Sequence, residues 1–346
     1  MRRRRGRTLL SAITLVFGAA LITVATATAA TAAPATATSA SGYRVVDLHR
    51  WGGESGWSAA IAINERGHVI GSMNGRGVLW RDGRVIDLGM PPGATYSYPM
   101  DINERDEVVG FTGIPVSGGE EPRYTVHAFL WRNGRMQDIG ALPEGDYSVA
   151  TGINDSGDIV GRSSTELGEW GPYYMHAVRW HAGRIGELES REVLSYAEDI
   201  TNDGWVVGSR GTPADPVTYT EAVAWKNGGS TVLYWGDALA ANERHQAVGS
   251  HLGFATSVLW TRGEVVELQP PPGDAFVMAA DINNRGEVVG WAESGAVVWR
   301  RPSAPALLPD LALANRSSPS AINDRGQIVG SSSLSDVEAH AVLWTR

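Results

Sequence analysis

The chain contains no cysteine, so it has no disulfide, no thiol nucleophile, no thiolate metal site and no cysteine to carry a lipid. It also lacks the HExxH spacing of a zinc site, the G-x-S-x-G elbow of a serine hydrolase and the GxxxxGK loop that cradles phosphate. These absences remove the commonest covalent, metal and nucleotide chemistries. Stability must then come from burial and hydrogen bonding alone.

What is present is 346 residues, 43% apolar and rich in glycine, with 42, which describes a turn-rich globular chain with a large core. Met1 to Arg7 include five arginines and precede an apolar run through Ala25. Small-residue sites follow at Ala27-Thr28-Ala29 and Ala30-Thr31-Ala32. Residues 1–32 are expected to be an export signal, 33–42 an Ala/Thr/Ser linker and 43–346 one domain. The alternative is an uncleaved N-terminal anchor with the domain outside. Residues 1–42 hold five of the 29 basic groups and none of the 38 acidic ones, so the remainder carries a net −14. Such a surface repels nucleic acid, and no membrane contact beyond the export segment is expected.

An I-N-[D/E]-x-G-x-[V/I]-[V/I]-G unit recurs with its asparagine at Asn64, Asn103, Asn154, Asn202, Asn242, Asn283 and Asn323. Each copy is followed by an apolar run ending in Trp80, Trp131, Trp180, Trp225, Trp260, Trp299 or Trp344. Within a unit the pattern predicts four short strands: SAAIAIN, HVIGS, GVLW and RVIDLG in the first copy. Glycine turns join the first pair, and Asp82-Gly83 or Asn133-Gly134 join the last. The strands are apolar on both faces, as in HAFLW, so both faces must be covered by neighbours. Repeats of about forty residues with four strands each predict an all-β, seven-bladed β-propeller of four-stranded antiparallel blades. The last copy ends at HAVLWTR and lacks its fourth strand, whereas YRVVDL at Tyr43 to Leu48 matches that strand. The N-terminal strand is therefore expected to complete the last blade and close the ring.

The H-A-F-L-W segment, the N-G or D-G turn, the D-[L/I]-G and the A-I-N-[D/E]-x-G-x-V-V-G together resemble the HAF repeat of extracellular repeat proteins, over about 300 residues. The naming triplet is intact at His127-Ala128-Phe129. It is nearly so at His176-Ala177-Val178 and His340-Ala341-Val342, and four units lack the histidine. The resemblance implies export and implies no activity.

The repeated asparagine is read as a turn cap that satisfies its own backbone, because no constant downstream glutamate accompanies it as a calcium loop would require. His127, His176 and His340 share one repeat position and are expected to hydrogen-bond or pack within their own units. Asp101, Asp199 and Asp281 stand just before the Ile-Asn pair or its equivalent, in the strand expected to line the channel. They are read as acceptors of backbone or indole N–H groups, with a shared ion or ligand site as the alternative.

Function is expected on the face that carries the longer second-to-third strand connections, at 111–126, 162–175 and 209–220. These segments hold Tyr124, Trp170, Tyr173, Tyr174 and Tyr219 beside Glu120, Glu121, Arg123, Glu166 and Glu169, and the crossover into the second unit adds Tyr96 and Tyr98. Aromatics with carboxylates on a rigid scaffold suit recognition of a glycan or a peptide. The reading is thus an exported, monomeric, non-catalytic binding or scaffolding propeller of the cell envelope with no cofactor. The alternatives are a secreted hydrolase or lyase using Glu166 and Glu169 with Tyr173 or Tyr174, and a purely structural surface protein.

Overall fold

The computed structural model describes residues 42–346 except 52–55, 117–122, 144, 166, 169–170, 173–174, 192, 212–219, 252–255, 313 and 336–337. The expected export signal at 1–32 lies outside the described residues, as does nearly all of the linker. No helix among the described residues is long and apolar enough to cross a membrane.

The fold is all-β and antiparallel, with six sheets of four to seven strands and one short two-stranded hairpin. The first unit runs Ser58–Ile63, Val69–Met73, Arg76–Arg81, Arg84–Asp87, as its hydrophobic and turn pattern predicts. Later units repeat this order. At the start of the domain, Arg44–Asp47 pairs antiparallel with Ala339–Thr345, Arg44 facing Thr345 and Asp47 facing Val342. The N-terminal strand thus supplies the fourth strand that the last unit lacks.

Seven hydrophobic clusters lie between consecutive units, and each contains one repeat tryptophan packed on the preceding unit. Trp131 meets Ile70, Leu79 and Leu88 of the first unit, and Trp299 meets Val248, Leu259 and Leu268 of the fifth. Trp80 of the first unit packs against Ala321, Val329 and Ala341 of the last. This explains why the strands are apolar on both faces. Six of the seven tryptophans are buried, while Trp260 is only partly so.

Each first strand carries a β-bulge two residues before its turn, as between Pro99 and Asp101 or between Ala279 and Asp281. The bulge pushes a carbonyl toward the second strand. A Cβ on Gly71, Gly110, Gly161, Gly208, Gly249, Gly290 or Gly330 would fall well inside 3.0 Å of that oxygen, which is why every V-V-G copy ends in glycine.

The turn after the bulge joins one unit to the next. Asn64 Oδ1 accepts the N–H groups of Arg66 and His68, while its Nδ2 donates to Asn103 O of the second unit at 3.1 Å. Asn103, Asn154, Asn242 and Asn283 repeat the outward bond, and Asn323 Nδ2 returns to Asn64 O at 3.0 Å. The fourth unit corrects the sequence register: the residue in the turn position is Thr201, one before Asn202. Thr201 N–H bonds Trp205 O and its Oγ1 accepts Trp205 N–H, the pattern the asparagines show elsewhere. Asn202 belongs instead to a second ring of contacts. There, the backbone N–H groups of Glu65, Glu104, Asp155, Asn202, Glu243, Asn284 and Asp324 each donate to the side-chain oxygen of the next member, at 2.5–2.9 Å, with Asp324 donating back to Glu65.

Two further features depart from the sequence expectation. The fourth and fifth units share one continuous strand, Gly229–Ala241, so they form a single seven-stranded sheet. The Pro-Gly crossover found between several other units is missing there, and at Gly236 (φ 137°) the strand passes from pairing with the fourth unit to pairing with the fifth. The 111–126 connection is largely not a loop, because Val108–Val116 and Arg123–Arg132 pair out to Val116 and Arg123 as one long hairpin.

The repeat histidines act within their units. His127 Nδ1 lies 2.6 Å from Asp138 Oδ2, His340 Nδ1 lies 3.0 Å from Asp47 Oδ2, and buried His176 contacts Thr165 Oγ1 through Nε2 at 3.2 Å.

Candidate functional site

The first strands begin at the end of the molecule that carries the second-to-third connections and finish at the asparagine turns. Side chains on these strands therefore form successive layers. The outermost layer in the second unit holds Tyr96, edge-on to Tyr124 at 5.6 Å and to Phe111 at 6.3 Å, with Tyr98 tilted against Phe111 at 5.5 Å. The structure thus brings together Tyr96, Tyr98 and Tyr124. Burial pushes the Tyr96 and Tyr98 hydroxyls up, so both stay protonated donors at neutral pH. The backbone of Arg123 pairs with Val116 beside them. Glu120, Glu121, Glu166, Glu169, Trp170, Tyr173, Tyr174 and Tyr219 lie outside the described residues.

A polar group that the sequence reading missed occupies the next layer, in the third to fifth units. The Arg162 guanidinium sits 5.7 Å over the Tyr196 ring and 3.5 Å from Glu198 Oε1. Burial holds the Glu198 carboxyl above its ordinary range, opposed by Arg162 and reinforced by Asp237 and Asp199. In the sixth unit Trp291 meets Phe276 edge-on at 5.5 Å and carries the Arg316 guanidinium 4.8 Å over its ring. A register in the sequence picks out Phe276 and Arg316, though not Arg162, Tyr196 or Glu198. Five residues before the variable position occupied by Asp101 stand Trp57, Tyr96, Tyr147, Leu194, Trp235, Phe276 and Arg316, one per unit.

Deeper still are Asp101, Asp199 and Asp281, all half-buried. Each accepts two backbone N–H groups, one from its own strand and one from the next unit: Asp101 from Ile102 and Ile153, Asp199 from Ile200 and Ala241, Asp281 from Ile282 and Ile322, at 2.7–2.8 Å. Where the aspartate is absent, Thr151 Oγ1 and Ser320 Oγ make comparable stitches to Ala197 O and Ala60 O. Burial pushes Asp101 and Asp281 up to about 7, with mutual repulsion adding and the N–H bonds opposing, and Asp199 is raised from the same first cause. Beyond them, at the turn end, a cavity of about 130 Å³ is lined by Asp281, Asn242, Asn283, Glu65, Glu243 and Asp324, among others.

Chemically, the turn end is a lattice of satisfied backbone bonds. The opposite end offers aromatic faces above paired donors and acceptors. That end can bind.

No family model and no curated protein matches the chain. Solved structures do. The virginiamycin B lyase of Staphylococcus aureus, in a catalytically inactive form with quinupristin, superposes with a TM-score of 0.56 at 13% identity, covering 88% of this chain and 99% of that one. A chain of the mitotic checkpoint complex gives 0.50 at 12% identity over 94% and 99%. The extracellular domain of a one component system of B. thetaiotaomicron gives 0.48 at 9% identity over 84% and 38%. The likeness is one of fold alone, and it is propeller-like.

Proposed function

We propose that this protein is an exported, closed seven-bladed β-propeller of the HAF-repeat kind, acting in the cell envelope as a non-catalytic module that binds a glycan or a peptide. Seven inter-unit cores for seven units, and two series of turn hydrogen bonds that return to the first unit, support the closed ring. The arginine-led apolar N-terminus supports export. The binding reading is carried by one observation, the cluster of Tyr96, Tyr98, Phe111 and half-exposed Tyr124 at the end where the second-to-third connections emerge. Rings held by a rigid ladder offer contact area at small entropic cost.

The test is a glycan and peptide array probed with the purified protein, followed by titration of any ligand against Tyr124→Ala. That ring is exposed, so its loss should weaken binding about tenfold while the melting temperature stays nearly constant. Binding unchanged by the substitution would remove this face from the site. A second reading, a hydrolase or lyase, is favoured by the Glu198 carboxyl that burial keeps protonatable beside Tyr196. Turnover of a bound ligand that Glu198→Gln abolishes with binding retained would replace the first reading.

A further inference from the structure

The layer five residues before the variable first-strand position is aromatic in five of seven units: Trp57, Tyr96, Tyr147, Trp235 and Phe276. Aromatics make up 8% of the chain, so this is a strong enrichment at one register. The seven repeat tryptophans of the third strand are explained by the inter-unit cores, whereas this layer is not. Trp57 is 37% exposed and Trp235 48% exposed. The register puts Trp57 level with Tyr96, because Ser58 pairs with Met73 as Ser97 pairs with Thr112, while Trp235 stands at the same end, paired with Glu221 of the fourth unit one residue before Gly236 joins the ladder of the fifth. Rings therefore recur around the end that carries the second-to-third connections, from the fifth unit through the first to the third, with Arg316 standing in the seventh.

We propose that this crown is a carbohydrate-binding surface, with pyranose rings stacking on Trp57 and Trp235 and their hydroxyls meeting the polar layer beneath. The proposal rests on the binding reading above and narrows it to one ligand class and a wider set of contacts. Three observations favour a sugar. First, the rings are spaced unit by unit and interrupted at Leu194 and Arg316, which suits a ligand presenting alternating C–H faces and hydroxyls better than a continuous apolar partner. Second, the layer beneath supplies both donors and acceptors, in Arg162, Tyr196, Glu198 and Asp237, as a polyhydroxylated ligand needs. Third, the charges present disfavour a basic partner and a polyanion. Glu198 is already paired with Arg162, and the Arg316 guanidinium, stacked on Trp291, meets no carboxylate among the described residues, which disfavours a basic peptide. The net negative body disfavours a polyanion.

The experiment probes the full chain against neutral oligosaccharides and peptides on one array. The best ligand is then titrated calorimetrically against the parent, Trp57→Ala, Trp235→Ala, the double variant and Tyr124→Ala, with a thermal melt of each. The expected result is a neutral glycan whose affinity falls about tenfold for each tryptophan lost, with melting temperatures close to the parent. Glycan binding that survives both tryptophan substitutions but is lost in Tyr124→Ala would overturn the crown and leave the binding face intact. Peptide ligands with no glycan would overturn the ligand class alone. No ligand of either class would overturn both readings.

Discussion

Three carboxylates that fold into each other's neighbourhood should make the protein less stable as they ionise, and the sign can be worked from their environment. Asp101 and Asp281 are pushed up to about 7 from an ordinary 3.8, and Asp199 is raised too. The native state therefore holds more protons than the unfolded chain between about pH 4 and pH 7. Stability is full below the unfolded value and is lost as pH rises through the folded one. A shift of three units corresponds to about 4 kcal/mol at the limit; the aspartates are half-buried rather than fully enclosed, so about 1–2 kcal/mol each is the working figure. Melting, followed by tryptophan fluorescence at fixed ionic strength, should then fall by roughly 5–10 °C between pH 5 and pH 8.5. His127, raised by its bond to Asp138, adds to this slope, and His176, lowered by burial, opposes it. Carboxylates held low by ion pairs, such as Asp158 and Glu287, lose their contribution only below about pH 4, outside the window. Asp281→Asn isolates the effect. Ile282 and Ile322 donate to different oxygens of Asp281, and asparagine puts a non-accepting amide nitrogen in place of one of them, costing about 1 kcal/mol at every pH, but the variant has no charge to bury. It should melt below the parent at pH 5 and draw level with it or pass it at pH 8.5. Parallel curves separated by a constant offset would refute the argument.

Deleting Tyr43 to Leu48 removes the fourth strand of the last unit together with two buried side chains, Tyr43 and Leu48. The loss should exceed about 4 kcal/mol and lower the melting temperature by about 10 °C, so a truncated protein that melts with the intact one would contradict the closure. Gly290→Ala should cost about 1–3 kcal/mol, because the new methyl meets Met278 O, whereas Gly186→Ala, with nothing within 4 Å, should be close to neutral; equal midpoints in denaturant would show that the bulge does not select glycine.

Sequence alone determined the repeat and the local structure within it. Glycine turns and tryptophan-terminated strands set the four-strand order, because hairpins are fixed by residues a few positions apart and by whether one or both strand faces are apolar. The match of Tyr43 to Leu48 with other fourth strands was legible for the same reason, and the pairing with Ala339–Thr345 followed it. Tertiary structure decided what depends on the neighbouring unit. Thr201 rather than Asn202 takes the turn because the turn is defined by bonds that text alignment cannot weigh, and the third unit's Asn154 donates to its carbonyl. The repeat glycine is selected by a carbonyl on the adjacent strand, and the aspartates by N–H groups of the following unit. The candidate site was legible only in part. Tyr96, Tyr98 and Tyr124 stood out as aromatics near a long connection, whereas Trp57, Trp235 and the Arg162–Glu198 pair lie far apart in the chain. They gather at one end in adjacent layers only because each unit starts its first strand at the same end, and that equivalence exists once the ladders fix every strand's register.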